Sequence, residues 1–177
     1  STDTFTKHRL ALLGDNATQF LKIALKGQAA ALKLHLDVWE SDYNQIDIHI
    51  LNANSELYSF NPQTVLLCFS IQHLQAVFYK TPDQDRLTFA NDYLRRLSHL
   101  VTTLNTNGVS NIIVLNYPEY DDGIWGEFSN KLPNSFLFQT RKLNILLSEF
   151  SVQMPSLHVI NTSGIQREMG NNNFFHA

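Results

Sequence analysis

The residues with most chemical potential stand where the apolar run Leu10-Ala-Leu-Leu13 breaks at Gly14-Asp15-Asn16 and a helix-period pattern begins at once. This reads as a strand passing sharply into a helix. A helix N-terminus presents unpaired N–H groups, and α/β folds bind ligands in the crevice outside the carboxyl ends of their strands. Gly14, Asp15 and Asn16 are therefore candidate substrate-binding residues. Asn16 offers an amide donor and acceptor but cannot act as a nucleophile. The hydroxyls near this corner belong to Thr18 and Ser70, which makes these two the candidate nucleophiles. Gln72 and Asn116 each follow a later apolar run and would bring amide donors to the same edge. Such donors at the positive end of a helix suit a carboxylate or phosphate. In purely structural terms Asn16 caps the helix, with Gln19 completing a capping box.

Other chemistry-bearing residues point to structure. His35 with Asp37, and Asp47 with His49, are metal-ligand types, but the pairs fall on separate elements and read as solvated polar faces, so no metal is expected. Cys68 is the single cysteine and lies inside Val65-Leu-Leu-Cys-Phe69, which makes it a buried core thiol.

The elements that would position these groups alternate. The first helix is expected to turn Phe20, Ile23 and Ala24 inward and to end at Gly27. A period-two strand follows over 32–39, then a loop and short helix to Leu51, and a third strand over 64–69 after Pro62. The longest helix is predicted over 85–106, with Leu87, Ala90, Leu94, Leu97, Val101 and Leu104 inward and Arg95 and Arg96 outside that stripe. A fourth strand (112–115), a helix (135–152), a fifth strand (157–160) and a last helical turn (164–169) complete the pattern. Short apolar strands alternating with helices predict a five-stranded parallel sheet in a three-layer α/β/α sandwich.

Composition bounds the rest. The chain has 177 residues, 44% of them hydrophobic, which suits one domain. Thirteen basic against sixteen acidic residues, net −3, advertise neither a nucleic acid nor an anionic membrane as partner. No apolar run approaches the roughly 18 residues of a membrane span, and the N-terminus lacks a signal-peptide layout, so a cytoplasmic protein is expected. A chain that begins at Ser1 and stops at Phe174-Phe-His-Ala177 reads as an excised domain.

The Gly14-Asp15-Asn16 turn resembles the first block of SGNH, or GDSL-type, hydrolases, in which a serine nucleophile occupies the position of Asn16. That resemblance implies a flavodoxin-like SGNH fold. It also implies a glycine after strand two, an asparagine after strand three, and a late Asp-x-x-His. Here Glu40-Ser-Asp-Tyr-Asn44 has no glycine, Ser70-Ile-Gln-His73 replaces the asparagine block, and Asn173-Phe-Phe-His176 has Asn in place of the acid. With all blocks altered, little catalytic power beyond binding is expected. The alternative is a divergent esterase or acyltransferase using Thr18 or Ser70 with His176.

A second resemblance covers nearly the whole chain. Gly14-Asp-Asn-Ala-Thr-Gln-Phe-Leu21, Glu40-Ser-Asp-Tyr-Asn-Gln45, Ser55-Glu-Leu-Tyr-Ser-Phe-Asn-Pro62 and Gly170-Asn-Asn-Asn-Phe-Phe175 look like the N-terminal region of FkbH-like proteins. In those proteins an SGNH-like domain precedes a HAD-superfamily phosphatase or phosphotransferase domain, and characterised members load a glyceryl unit onto an acyl carrier protein. The resemblance implies that residues 1–177 form one SGNH-like domain without a cofactor, with Mg²⁺ belonging to the C-terminal domain. Its implied partners are that HAD-like domain and an acyl carrier protein or small phosphorylated acid. The HAD aspartate pair is not evident here: Asp83-Gln-Asp85 follows Pro82 with no strand leading in and reads as a helix start.

Overall fold

The computed structural model describes residues 6–170 and Phe174. Strands β1 (Thr6–Gly14), β2 (Leu34–Glu40), β3 (Thr64–Cys68), β4 (Asn111–Leu115) and β5 (Leu157–Ile160) alternate with helices. These are α1 (Gln19–Ala31), α2 (Ile46–Leu51), α3 (Glu56–Phe60), α4 (Ile71–Lys80), α5 (Phe89–Thr106), α6 (Phe136–Gln153) and α7 (Thr162–Met169). The sheet order is β2-β1-β3-β4-β5 and every neighbouring pair is parallel. The predicted parallel α/β sandwich is therefore the observed architecture.

Successive side chains of a strand point to opposite faces, and both faces here are apolar. Ala11, Leu13, Val65, Leu67, Ile112, Val114 and Leu157 enter the larger core with residues of α2, α4, α5 and α6. Leu10, Leu12, Leu66 and Cys68 face the other way, against Leu21 and Leu25 of α1. Each fully buried aliphatic side chain contributes roughly 1.5–3 kcal/mol, so the many-helix face dominates stability.

Three expectations need correction. First, α1 turns Leu21, Leu25 and Ala29 to the sheet, while Phe20 and Ile23 are 85% and 68% exposed and Ala24 is exposed. Two stripes of this helix are apolar, so periodicity alone could not choose between them. Gly27 lies within α1, and the N-cap is Thr18, not Asn16, with no side-chain capping bond.

Second, no helix is expected between the third strand and residue 85, yet Ile71–Lys80 form α4. Ser70 caps α4, its Oγ accepting the His73 N–H at 3.1 Å, and Ile71, Leu74 and Phe78 form the buried stripe. Thr81 is extended because it precedes Pro82, and the helix stops there. Third, residues Asp83–Thr88 form a 3-10 turn that separates α4 from α5, which leaves Leu87 52% exposed.

The start of α5 depends on a side chain from α6. Gln139, 1% exposed, accepts the Ala90 N–H at 2.9 Å and donates to the carbonyls of Pro133 at 2.5 Å and Leu87 at 3.2 Å. One amide thereby satisfies an orphan donor of the helix N-terminus and two loop carbonyls. Gln139→Leu keeps the volume and strands all three groups, so it is expected to cost about 2–4 kcal/mol in urea unfolding. A loss below about 0.5 kcal/mol would mean that the three groups find other partners.

Candidate functional site

Because all five strands are parallel, the β1–α1, β2–α2 and β3–α4 corners meet at one edge of the sheet. The β1 corner is set by steric economy. A Cβ on Gly14 would lie 2.6 Å from Thr18 Cγ2, so the absence of a side chain lets the turn fold back on itself. Thr18 is 6% exposed, and its hydroxyl donates to Glu40 Oε1 at 2.5 Å. Lys22, one turn into α1, meets the other oxygen of Glu40 at 3.2 Å. A cavity of about 270 Å³ opens beside this triad, lined by Asn16, Thr18, Gln19, Glu40, Asp42 and Tyr43.

Glu40 is the residue that motif reading passes over. Its signal in the sequence is a charged residue closing a half-apolar strand, next to a corner with hydroxyls.

A second polar cluster lies on the other side of β1. Asp15 is 3% exposed; its N–H donates to the Cys68 carbonyl at 3.2 Å and its Oδ1 accepts the Ser70 N–H at 2.7 Å. Its Oδ2 is buried and has no hydrogen-bond partner among the described residues. Burial raises the Asp15 pKa above the ordinary carboxyl value, opposed by the Ser70 N–H and by the charges of His73 and Arg96. The same burial, with the Asp15 charge adding to it, pushes the Cys68 thiol up to about 12, which excludes a ready thiolate.

Arg96 reaches this cluster from α5, although the helical stripe places it outside. It donates to both oxygens of Asp47 at 3.0 and 2.5 Å and lies over the rings of Phe69 and Tyr93. Asp47 is thus an anchor for a guanidinium, and His49 packs edge-on to Trp39 at 5.0 Å, so neither is simply a solvated face.

The candidate residues are not gathered into one constellation. Gly14, Asn16 and Thr18 form the β1 corner, and Asp15 joins Ser70 across the strand gap. Gln72 is exposed on the first turn of α4. Asn116 is committed elsewhere: its Oδ1 accepts the N–H groups of Thr162 at 2.7 Å and Ser163 at 3.2 Å, capping α7. The expectation that Asn116 neighbours Asn16 misses this, because β3 lies between their strands and α7 needs a cap. His176 lies outside the described residues.

The Asp83-x-Asp85 pattern sits on a 3-10 turn, where Asp83 pairs with Arg86 at 2.5 Å, so this donor set does not fit a phosphotransfer Mg²⁺. Among the described residues no group of three or more His, Cys, Asp or Glu could hold a metal ion. No helix among them is long and apolar enough to cross a membrane.

Two predictions test this geometry. Gly14→Ala drives a methyl into Thr18 and is expected to cost about 1–3 kcal/mol of unfolding free energy. An unchanged denaturation midpoint would show that Thr18 can leave Glu40 freely. Asp15→Asn keeps the acceptor for Ser70 and removes a buried charge. Since the folded-state pKa of Asp15 is raised, its proton-linked stability is full below the ordinary carboxyl pKa and is lost as pH rises through the raised value. The stability of Asp15→Asn relative to the parent should therefore be lowest in acid and climb toward neutral pH. A difference flat across that range would contradict the linkage.

The comparisons agree with this geometry. The N-terminal part of the Bacteroides fragilis protein BF1531, described as containing a phosphatase domain complexed with Mg, shares 32% identity at a TM-score of 0.88. The match covers 97% of this chain and 45% of that one, so the chain spans less than half of this relative. Axe2, an acetyl-xylooligosaccharide esterase from Geobacillus, shares the fold at 14% identity and a TM-score of 0.61, over 94% of this chain and 81% of its own. BT4096, a gut microbial diltiazem-metabolizing enzyme, does so at 12% and 0.56, over 96% and 40%. No curated protein gives a match. The model of the FkbH N-terminal domain matches residues 9–177, and with an esterase-type α/β fold over that same stretch the chain belongs to the FkbH N-terminal domain family.

Proposed function

We propose that this SGNH-like domain is non-catalytic and positions a partner for a HAD-superfamily phosphatase or phosphotransferase domain that follows it in an FkbH-like protein. The observation that carries the reading is the fate of the corner hydroxyls. Thr18 is buried and donates to Glu40, which Lys22 already neutralises, and Ser70 Oγ caps α4. An activated nucleophile needs a free hydroxyl facing both substrate and base, and Asn16, exposed in the turn, supplies none. The BF1531 relative, with its phosphatase domain, supports the two-domain organisation.

The small phosphorylated acid of the family then belongs at the phosphatase domain, because the corner cavity carries Asp42 in its lining and its Lys22 neighbour is already paired with Glu40. The acyl carrier protein is the partner left for this domain to hold. The Thr18–Glu40 contact also has the form of a hydroxyl on a carboxylate base, and this is what favours the runner-up, a divergent esterase.

Purified residues 1–177 should hydrolyse short-chain aryl esters no faster than a heat-denatured control. Titration with phosphoglycerate or glycerate should give no heat up to millimolar ligand. Turnover abolished by Thr18→Ala or Ser70→Ala would establish the esterase. Binding lost in Asn16→Ala would make the corner a ligand pocket.

A further inference from the structure

The face of the domain beside its last described helix is built for contact. Helix α6 buries Phe136, Leu143 and Leu147, yet its opposite side carries Phe138, Ile145 and Val152, the latter two 61% and 85% exposed. These three recur every seven residues and so lie along one side of the helix, over a length of about 20 Å. The 3-10 turn Gly126–Asn130 packs against α6 and adds Phe128, 64% exposed, and the residues before it add Ile124 and Trp125. A cavity of about 490 Å³ runs along Phe138, Ile145 and Leu146 between Arg141, Lys142 and Glu149. A helix that is apolar on both sides is normally covered on both, and a contiguous exposed apolar patch marks an interaction site.

The position of this patch identifies its occupant. Gln166 of α7 accepts the Glu119 N–H at 2.7 Å and donates to the Glu119 carbonyl at 2.6 Å. The Glu119 carboxylate holds Arg141 of α6 at 3.0 and 2.8 Å, and Arg141 donates to Asn130 at 2.5 Å. A continuous polar truss thus fixes α7 beside the patch. The region matched by this chain is 45% of the solved BF1531 chain, which leaves the larger part of that chain outside it. We propose that the exposed face of α6, with Ile124, Trp125 and Phe128, is the docking surface for the phosphatase domain that follows α7. The proposal rests on the two-domain reading above.

Area supports a tethered partner over a second copy. A stripe one helix face wide and about 20 Å long falls short of the roughly 800 Å² per partner of a stable free interface. A covalently linked domain needs less, because a short linker supplies a millimolar effective concentration. A second exposed apolar helix face, Phe20 and Ile23, belongs to α1, the helix that packs at the β2 edge of the sheet, and serves as the control.

The test uses the full-length protein with Ile145→Asp, Phe128→Asp and, as control, Phe20→Asp, all at exposed positions. Interdomain proteolysis should become about tenfold faster for Ile145→Asp and Phe128→Asp, with a larger radius of gyration, and stay unchanged for Phe20→Asp. Separation by Phe20→Asp alone, or by none of the three, would overturn the docking surface and leave the two-domain reading standing. A concentration-dependent dimer broken by Ile145→Asp would replace the domain with a second copy. A full-length chain with no phosphatase domain after α7 would overturn both.

Discussion

Everything at the carboxyl edge follows from one constraint, that all five strands run parallel. Parallel neighbours cannot be joined by a hairpin, so each strand must return through a crossover, and every strand-to-helix corner falls on the same side. The order β2-β1-β3-β4-β5 then places the β1 corner between those of β2 and β3. Gly14, Thr18 and Glu40 close the gap on one side and Asp15 with Ser70 on the other. The corner is thus a joint before it is a site. Its hydrogen bonds hold β1, β2 and β3 in register at the end where no further strand hydrogen bonds can do so.

The joint also accounts for both corner hydroxyls. Thr18 and Ser70 are each tied into the joint, one by donating to a carboxylate and one by accepting a helix N–H. Freeing either for chemistry would leave a half-buried carboxylate oxygen short of a donor or an uncapped helix, at about 1 kcal/mol each. Asn16, by contrast, is exposed and takes no part in either bond, so the residue where the family resemblance implies a serine is the one the joint does not use.

Fold class was legible because period-two strands and helix-period segments alternate with clear breaks, and the strand positions of 112–115 and 157–160 were recovered almost to the residue. Burial direction was less so. In α1 both stripes are apolar, and what selects Leu21 and Leu25 is tertiary: Lys22 must reach Glu40 on the neighbouring strand. Helix α4 is hard to read from the sequence because its apolar stripe is short and Pro82 reads equally as the start of the next helix and as the stop of this one. The site was least legible. Glu40 and Arg96 act through residues 22 and 49 positions away in sequence, and no local pattern announces such pairs. Asn116 illustrates the converse, a residue well placed by order in the chain and claimed by a helix N-terminus that only the folded structure brings near.

The electrostatics of the edge decide between kinds of ligand. A helix N-terminus favours an anion by roughly 0.3–1 kcal/mol when exposed to solvent. Lys22 adds little to that attraction at the β1 corner, because it is already paired with Glu40. Against it stands Asp42 in the cavity wall, and like charges a few ångströms apart cost about as much or more at the effective dielectric of a protein surface. The dipole therefore loses. The bonds from Thr18 to Glu40 and from the Ser70 N–H to Asp15 meanwhile tie β1 to its neighbours on both sides.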